Sequence, residues 1–187
     1  MATTIETFFT QAAQKQFSRD FLFRVKQISI AGLDLNGETD LVYARSASLP
    51  GRNIQNKIVN YAGQQFNIPG KSEYPNSEGW SVEFYHDQNI ELRTKLEKAS
   101  RRLFNNETTT GQICMPGPES TITLEVLSLC SPEDPDGSQG LQTIKTIQLI
   151  GASIRDIGEV QYQIADGTGE ILTLSTTFAY HFYKDFS

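Results

Sequence analysis

The chain has 187 residues, a length suited to one domain around one core. Charged residues make up 20% and hydrophobic residues 38%, and no apolar run approaches the roughly 20 residues that a membrane-crossing helix needs. The net charge of −6, from 22 acidic and 16 basic residues, argues against clinging to a nucleic-acid backbone, which requires a basic stripe.

The first twenty residues begin MATTIETFFTQAAQKQF and lack the basic start and apolar core of a secretion signal. They read as an N-terminal extension, a short amphipathic helix or loosely held arm, ahead of a single β domain over 21–187. Maturation in a cytoplasm is expected. Phe21 to Ile30 opens the β region. Phe21, Phe23 and Val25 share one face while Ile28 and Ile30 have the opposite parity. That change predicts a bulge near Lys26–Gln27, or a strand covered on both faces. GLDLNGETD reads as a hairpin connection turning at Asn36-Gly37. Leu41 to Leu49 is the second predicted strand, broken by Pro50-Gly51.

Residues 50–79 form an extended arm with β-prone pieces at Ile54–Tyr61 and Gln65–Ile68, separated by Ala62-Gly63. Connections without structure of their own rarely exceed about 12–15 residues, so such an arm is more often functional than idle. Trp80, Val82 and Phe84 alternate with Ser81, Glu83 and Tyr85, which predicts a strand with one buried face. Asp87 or Asn89 is the expected N-cap of a lateral helix over residues 90–104. Leu92, Leu96, Ala99 and Leu103 recur there at i, i+4, i+7 and i+11 as one apolar stripe. Glu91 opens this helix and Arg101 and Arg102 close it, matching the helix dipole. Trp80, Val82, Phe84, Leu92, Leu96 and Leu103 are the candidate core.

Asn105 to Ser120 reads as a polar loop, Ile122 to Leu129 as a strand, Ser131 to Gly140 as an acidic loop and Leu141 to Ile150 as a strand. A connection over Ile154–Glu159, a short strand over Val160–Ile164 and a turn at Asp166–Gly169 precede the last strand, Ile171–Tyr183. About seven or eight strands and one helix favour an antiparallel β-barrel or sandwich with a lateral helix.

No catalytic grouping, metal site or cofactor motif stands out. His86 and His181 have no nucleophile beside them. Cys114 and Cys130 lack metal-ligand spacing and are expected as free thiols in a cytosolic protein. Glu133, Asp134 and Asp136 lack the spacing of a calcium loop. Gly167 and Gly169 fit a turn and no phosphate-binding pattern.

The closing strand carries the strongest signal. Ile171 to Tyr183 runs thirteen residues without a charge. At a sheet edge such a strand invites pairing with another chain, because soluble proteins normally block edges with charge or proline. Alternation puts Leu172, Leu174, Phe178, Tyr180 and Phe182 on one face. Thr173, Ser175, Thr177, Ala179 and His181 make up the other, a small, wet, uncharged face. That second face suits the inner wall of a multi-subunit barrel, with Thr173, Ser175 and Thr177 as candidate lumen residues. The competing class is a monomeric β-sandwich binding module that uses the arm as a recognition loop.

The order of Ala47-Ser-Leu-Pro-Gly, the arm, Trp80-Ser-Val-Glu-Phe into a helix, Ile147-Gln-Leu-Ile-Gly, Ile157-Gly-Glu-Val and an aromatic-rich final strand resembles a known family. It is similar to the tail tube proteins of contractile-tailed bacteriophages, over about Phe21 to Phe186. The resemblance implies a virion subunit, assembled in the host cytoplasm, that forms homohexameric rings stacked into a hollow tube. It implies partners: copies of itself, a contractile sheath, a baseplate, and a tape-measure protein held in the lumen, through which DNA later passes without stable binding. It implies that the arm reaches a neighbouring subunit or the next ring, with Arg52, Asn53, Ile54, Asn56, Lys57, Ile58, Tyr61, Phe66, Ile68 and Tyr74 as candidate contacts. The helix would face the sheath. The extension over 1–20 and the loops at 105–120 and 131–140 depart from the simplest tube pattern, which leaves a main tube subunit and a baseplate-end ring both open. Tube proteins of pyocins, extracellular injection particles and type VI secretion share the architecture, which also leaves a non-phage machine open.

Overall fold

Alternating apolar residues and turn-forming glycines carry the described residues into eleven antiparallel strands and a lateral helix. The computed structural model describes residues 4, 5, 7, 10, 18–30, 32–36, 41, 44–111, 115–128, 140–163 and 169–186. Most of the N-terminal extension, Gly37, both cysteines, the carboxylates of the 131–140 loop and Gly167 lie outside the described residues.

One sheet runs β11 (Phe182–Phe186), β8 (Gln142–Ile150), β7 (Thr121–Ser128), β1 (Phe23–Ile30), β2 (Leu33–Asn36). A second runs β3 (Ala44–Ala47), β6 (Trp80–Tyr85), β10 (Thr173–Ala179), β9 (Ser153–Ile157). The arm is a separate hairpin, β4 (Asn53–Tyr61) with β5 (Gln64–Glu73). The two larger sheets face each other as a sandwich, and they do not close into a barrel within one chain. Val25, Ile28, Leu35, Ile122, Leu124 and Leu149 from the first sheet meet Trp80, Val82, Phe84, Leu174 and Phe178 from the second in one core. Burying such side chains contributes roughly 1.5–3 kcal/mol each, which is why the period-2 pattern decides which face turns inward.

Helix α1 (Glu91–Leu103) buries Leu92, Leu96 and Ala99, with Leu103 partly buried behind them, and packs against β9 and β2. It therefore bridges one edge strand of each sheet. The Asp87 carboxylate accepts the Glu91 N–H at 2.8 Å, and the residue at the cap position itself, Ile90, has φ 58°. A β-branched residue there is strained, and the loop from β6 imposes it.

The two sheets share a corner. Gly151 and Ala152 link β8 to β9, Tyr180 and His181 link β10 to β11, and β8 pairs with β11 while β9 pairs with β10. One bent strand pair thus passes from sheet to sheet. Gly151 has φ 69°, and a Cβ on it would lie 2.1 Å from the His181 ring, so glycine is required where the two strands fold over each other.

Several sequence expectations change here. The thirteen-residue closing strand is two strands: β10 lies inside the second sheet between β6 and β9, and only β11 stands at an edge. Its missing charge therefore reflects central burial and a corner, in addition to any pairing role. Leu33–Asn36 is a strand paired with β1, Ile30 opposite Leu33, so the chain has already reversed before Asn36, and Gly37 lies outside the described residues. The expected connection over Ile154–Glu159 holds β9, while residues 160–163 form no strand. The register of β1 against β7 shifts between Val25 and Gln27, the bulge that the parity change predicts. The arm's two β-prone pieces pair with each other across Ala62 (φ 50°) and Gly63 (φ 79°), a two-residue turn of the kind that fits strand twist.

Candidate assembly interface

Among the described residues, three surfaces remain without a partner in the single chain: the hairpin, the edge strands and the open face of the four-stranded sheet.

Every residue of β4 is exposed, and all of β5 except Glu73. Cross-strand register places Lys57, Val59 and Tyr61 opposite Ile68, Phe66 and Gln64, so one hairpin face gathers four large apolar groups. Val59, Tyr61, Phe66 and Ile68 are 45%, 75%, 47% and 50% exposed. Ile54, Asn56 and Ile58 belong to the opposite face. Arg52 and Asn53 stand exposed at the base. Tyr74 differs from the other candidate arm residues. It is partly buried, with ring centroids 5.3 Å from Tyr183 and 6.4 Å from Tyr180. It fastens the hairpin to the corner of its own chain. Burial, together with Tyr183 and Tyr74 nearby, pushes the Tyr180 phenol above its ordinary value. Next to it, Glu73 is held below the ordinary carboxylate value chiefly by its hydrogen bond to Lys71, with Gln55 donating a second at 2.6 Å.

Among the described residues, β2, β3, β9 and β11 each pair on one side only. Unpaired backbone donors and acceptors on such edges are templates for another strand. Beside β3 lies an open cleft of about 740 Å³, lined by residues 18–25 and 44–47 with Leu49 and Val126.

The core face of β10 is Leu174, Thr176 and Phe178, and its open face is Thr173, Ser175, Thr177 and Ala179. Register sets Thr173 opposite Tyr85, Ser175 opposite Glu83 and Thr177 opposite Ser81. Ser46 donates to Glu83 at 3.2 Å and Arg45 pairs with Glu83 at 3.3 Å, so the carboxylate within this polar wall has a cation beside it. Trp80, Val82 and Phe84 lie fully buried beneath. His86 donates to or accepts from the Tyr162 hydroxyl at 2.8 Å, and exposed His181 sits at the corner.

Sequence reasoning passed over two residues. Glu125 lies 2% exposed on the five-stranded sheet, where Arg24 and Lys26 each contact it at 2.6 Å. Burial raises its pKa, but the Lys26 and Arg24 hydrogen bonds and charges outweigh that and hold it below the ordinary value. A lone Glu inside ITLEVL shows no such role; the cross-strand Arg24↔Glu125 register creates it. Thr176 is fully buried with an unpartnered hydroxyl, on the apolar parity of a strand whose other Ser and Thr residues face outward.

No protein-family model matches the chain, and no curated protein matches it by sequence. Solved structures do share its fold. A chain of the anti-feeding prophage baseplate, solved with six-fold symmetrisation, superposes with a TM-score of 0.60 at 10% identity, covering 91% of this chain and 96% of that one. Chains from an extracellular contractile injection system, PVC, do likewise. One is from the sheath/tube terminator (0.53, 12%, covering 90% and 96%), and one from the sheath–tube complex (0.52, 12%, covering 100% and 99%). The fold is that of components of contractile injection systems, the class that the sequence resemblance implies.

Proposed function

We propose that the chain is a structural subunit of the tail tube of a contractile phage tail, forming homohexameric rings that stack into a hollow conduit for DNA. The hairpin carries this reading. Nine- and ten-residue strands extend about 30 Å while contributing nothing to their own chain's core, and leave large apolar groups in water. Such an element makes physical sense only when another molecule covers it. One-sided edge strands supply lateral contacts: a heterologous edge-to-edge contact that closes makes a ring, and ring stacking that does not close makes length. The open face of the four-stranded sheet, with Thr173, Ser175 and Thr177, is the lumen wall, small and short of unpaired charge, so DNA passes without sticking. The six-fold symmetry of the similar baseplate supports six copies per ring. Sheath, baseplate and tape-measure proteins are the partners, and no catalytic step is assigned.

The similar chains come from an anti-feeding prophage and an extracellular injection particle, which favours as a second reading the tube, or a baseplate-end ring, of a non-phage machine. Negative-stain electron microscopy and size-exclusion chromatography of the purified protein test both readings. Rings or tubes support them. A concentration-independent monomer near 20.9 kDa would point to a binding module.

A further inference from the structure

Two apolar surfaces near the start of the chain face water. The first belongs to a helix. Ile5, Thr7 and Thr10 are helical, and the Thr7 N–H donates to the Thr4 hydroxyl at 3.3 Å, so Thr4 caps the helix start. Ile5 is 77% exposed. In the sequence, Ile5, Phe8, Phe9, Ala12 and Ala13 fall at i, i+3, i+4, i+7 and i+8, the spacing of one helical face, while Glu6, Thr7, Thr10, Gln11 and Gln14 fill the rest. A helix this short is marginal in water and holds its form only when its apolar face is covered.

The second surface is the open cleft of about 740 Å³ beside β3. Phe21 and Leu49 on its wall are 62% and 50% exposed, and Phe23, Ala44 and Ala47 add partly buried apolar groups. Ser18, Arg19 and Asp20 line the same cleft, so the chain ahead of residue 18 joins the β domain there. The dimensions agree. A helix over residues 5–13 is about 14 Å long, and β3 is about 13 Å. Residues 14–17 span up to about 14 Å when extended, enough to turn the helix back onto its own domain. So short a tether gives a millimolar effective concentration, which favours the chain's own cleft over that of a second copy. A membrane surface fits less well. Lys15 is the sole basic side chain in the first 17 residues, whereas helices that lie on membranes are rich in Lys and Arg.

We infer that the N-terminal helix docks in the cleft beside β3 of its own chain, its Ile5/Phe8/Phe9 face against Phe21, Ala47 and Leu49. Each phenylalanine buries about 150–250 Å² there. A helix laid along an edge strand is one of the ways a sheet hides its unpaired backbone. Docked, it keeps β3 from pairing with another chain, and it must leave before that edge is used. The docking stands by itself; its role as a brake on ring closure rests on the tube reading.

The test uses the full chain with Cys114→Ser and Cys130→Ser, carrying Ile5→Cys together with Leu49→Cys, oxidised mildly at low concentration. A disulfide within one chain is expected, read as a faster-running monomer on a non-reducing gel. Adding Phe8→Ser and Phe9→Ser should cut its yield severalfold, because the apolar face and not chance collision drives docking. Ile5→Cys with Tyr61→Cys, beside the hairpin turn, should give none. The locked monomer should need a concentration about tenfold higher to form rings, since only the unlocked fraction is competent, and reductant should restore assembly. No internal bond, a yield unmoved by the serine pair, or a bond only between chains would overturn the docking, the last pointing to a second copy's cleft. A locked monomer that assembles as readily as the reduced one would overturn the brake. A parent protein that forms the internal bond and never forms rings would overturn the tube reading and leave the docking standing.

Discussion

At the scale of single residues, Glu125 shows how a central strand holds a carboxylate out of water. The backbone register brings Arg24 opposite and the β1 bulge lets Lys26 reach the same group, so two half-exposed cations cover one buried anion. Losing one member of a fully buried pair costs about 3–5 kcal/mol, but here both cations can turn to solvent. Glu125→Gln should therefore cost about 1–2 kcal/mol at pH 7, read from urea unfolding midpoints. The native pKa is lowered, so Glu125 contributes its stability in full above the ordinary value of 4.5 and loses it as pH falls through the depressed native one. The gap between wild type and variant should narrow in that acid range. A gap that stays constant down to pH 2 would mean that the ion pairs do not stabilise the fold.

At the scale of elements, the corner decides how two sheets become one domain. Gly151→Ala forces a Cβ onto the His181 ring and places alanine at φ 69°, which should cost about 1–3 kcal/mol. Adding His181→Ala should recover the steric part and leave roughly 1 kcal/mol of backbone strain, a split that thermal unfolding of the two single variants and the double variant can measure. Nothing in QLIGAS or AYHFY announces this contact, because it depends on two segments crossing some thirty positions apart in sequence. Elements with their own periodicity were legible: the Trp80 strand, the helix stripe from Leu92 to Leu103, and the bulge at Lys26. The long closing strand was misread because period-2 alternation continues through Tyr180 and His181 while the chain changes sheets. The hairpin was visible only as a pair of β-prone pieces, since the Ala62-Gly63 turn is a weaker signal than Asn-Gly. Of the candidate interface, exposure of Ile58, Phe66 and Ile68 could not be read from a sequence, where apolar residues ordinarily mean core.

At the scale of the molecule, the fold divides into a sandwich with its own core and an exposed hairpin that adds nothing to that core, and this division can be cut. Asn53 pairs with Glu73, so the ends of the hairpin already stand side by side, and removing 53–72 with a two-glycine bridge leaves both sheets intact. The boundary matters. Excision of 52–78 also takes Tyr74, whose ring packs on Tyr180 and Tyr183, and Ser77, whose carbonyl accepts the Tyr180 N–H at 2.7 Å. It removes Glu78 too, whose carbonyl accepts from Arg155. The wider cut should therefore lower stability by about 1–3 kcal/mol, from lost aromatic packing and an orphaned buried N–H. The narrower cut should leave the melting temperature within a few degrees of wild type. On the proposed tube reading both should abolish long tubes, because both remove the hairpin, while edge strands β3, β9 and β11 are untouched and rings can still close. Electron micrographs of the 53–72 deletion should thus show rings without tubes. Tubes of normal length from that protein would mean that stacking runs through the sandwich itself and that the hairpin serves another partner.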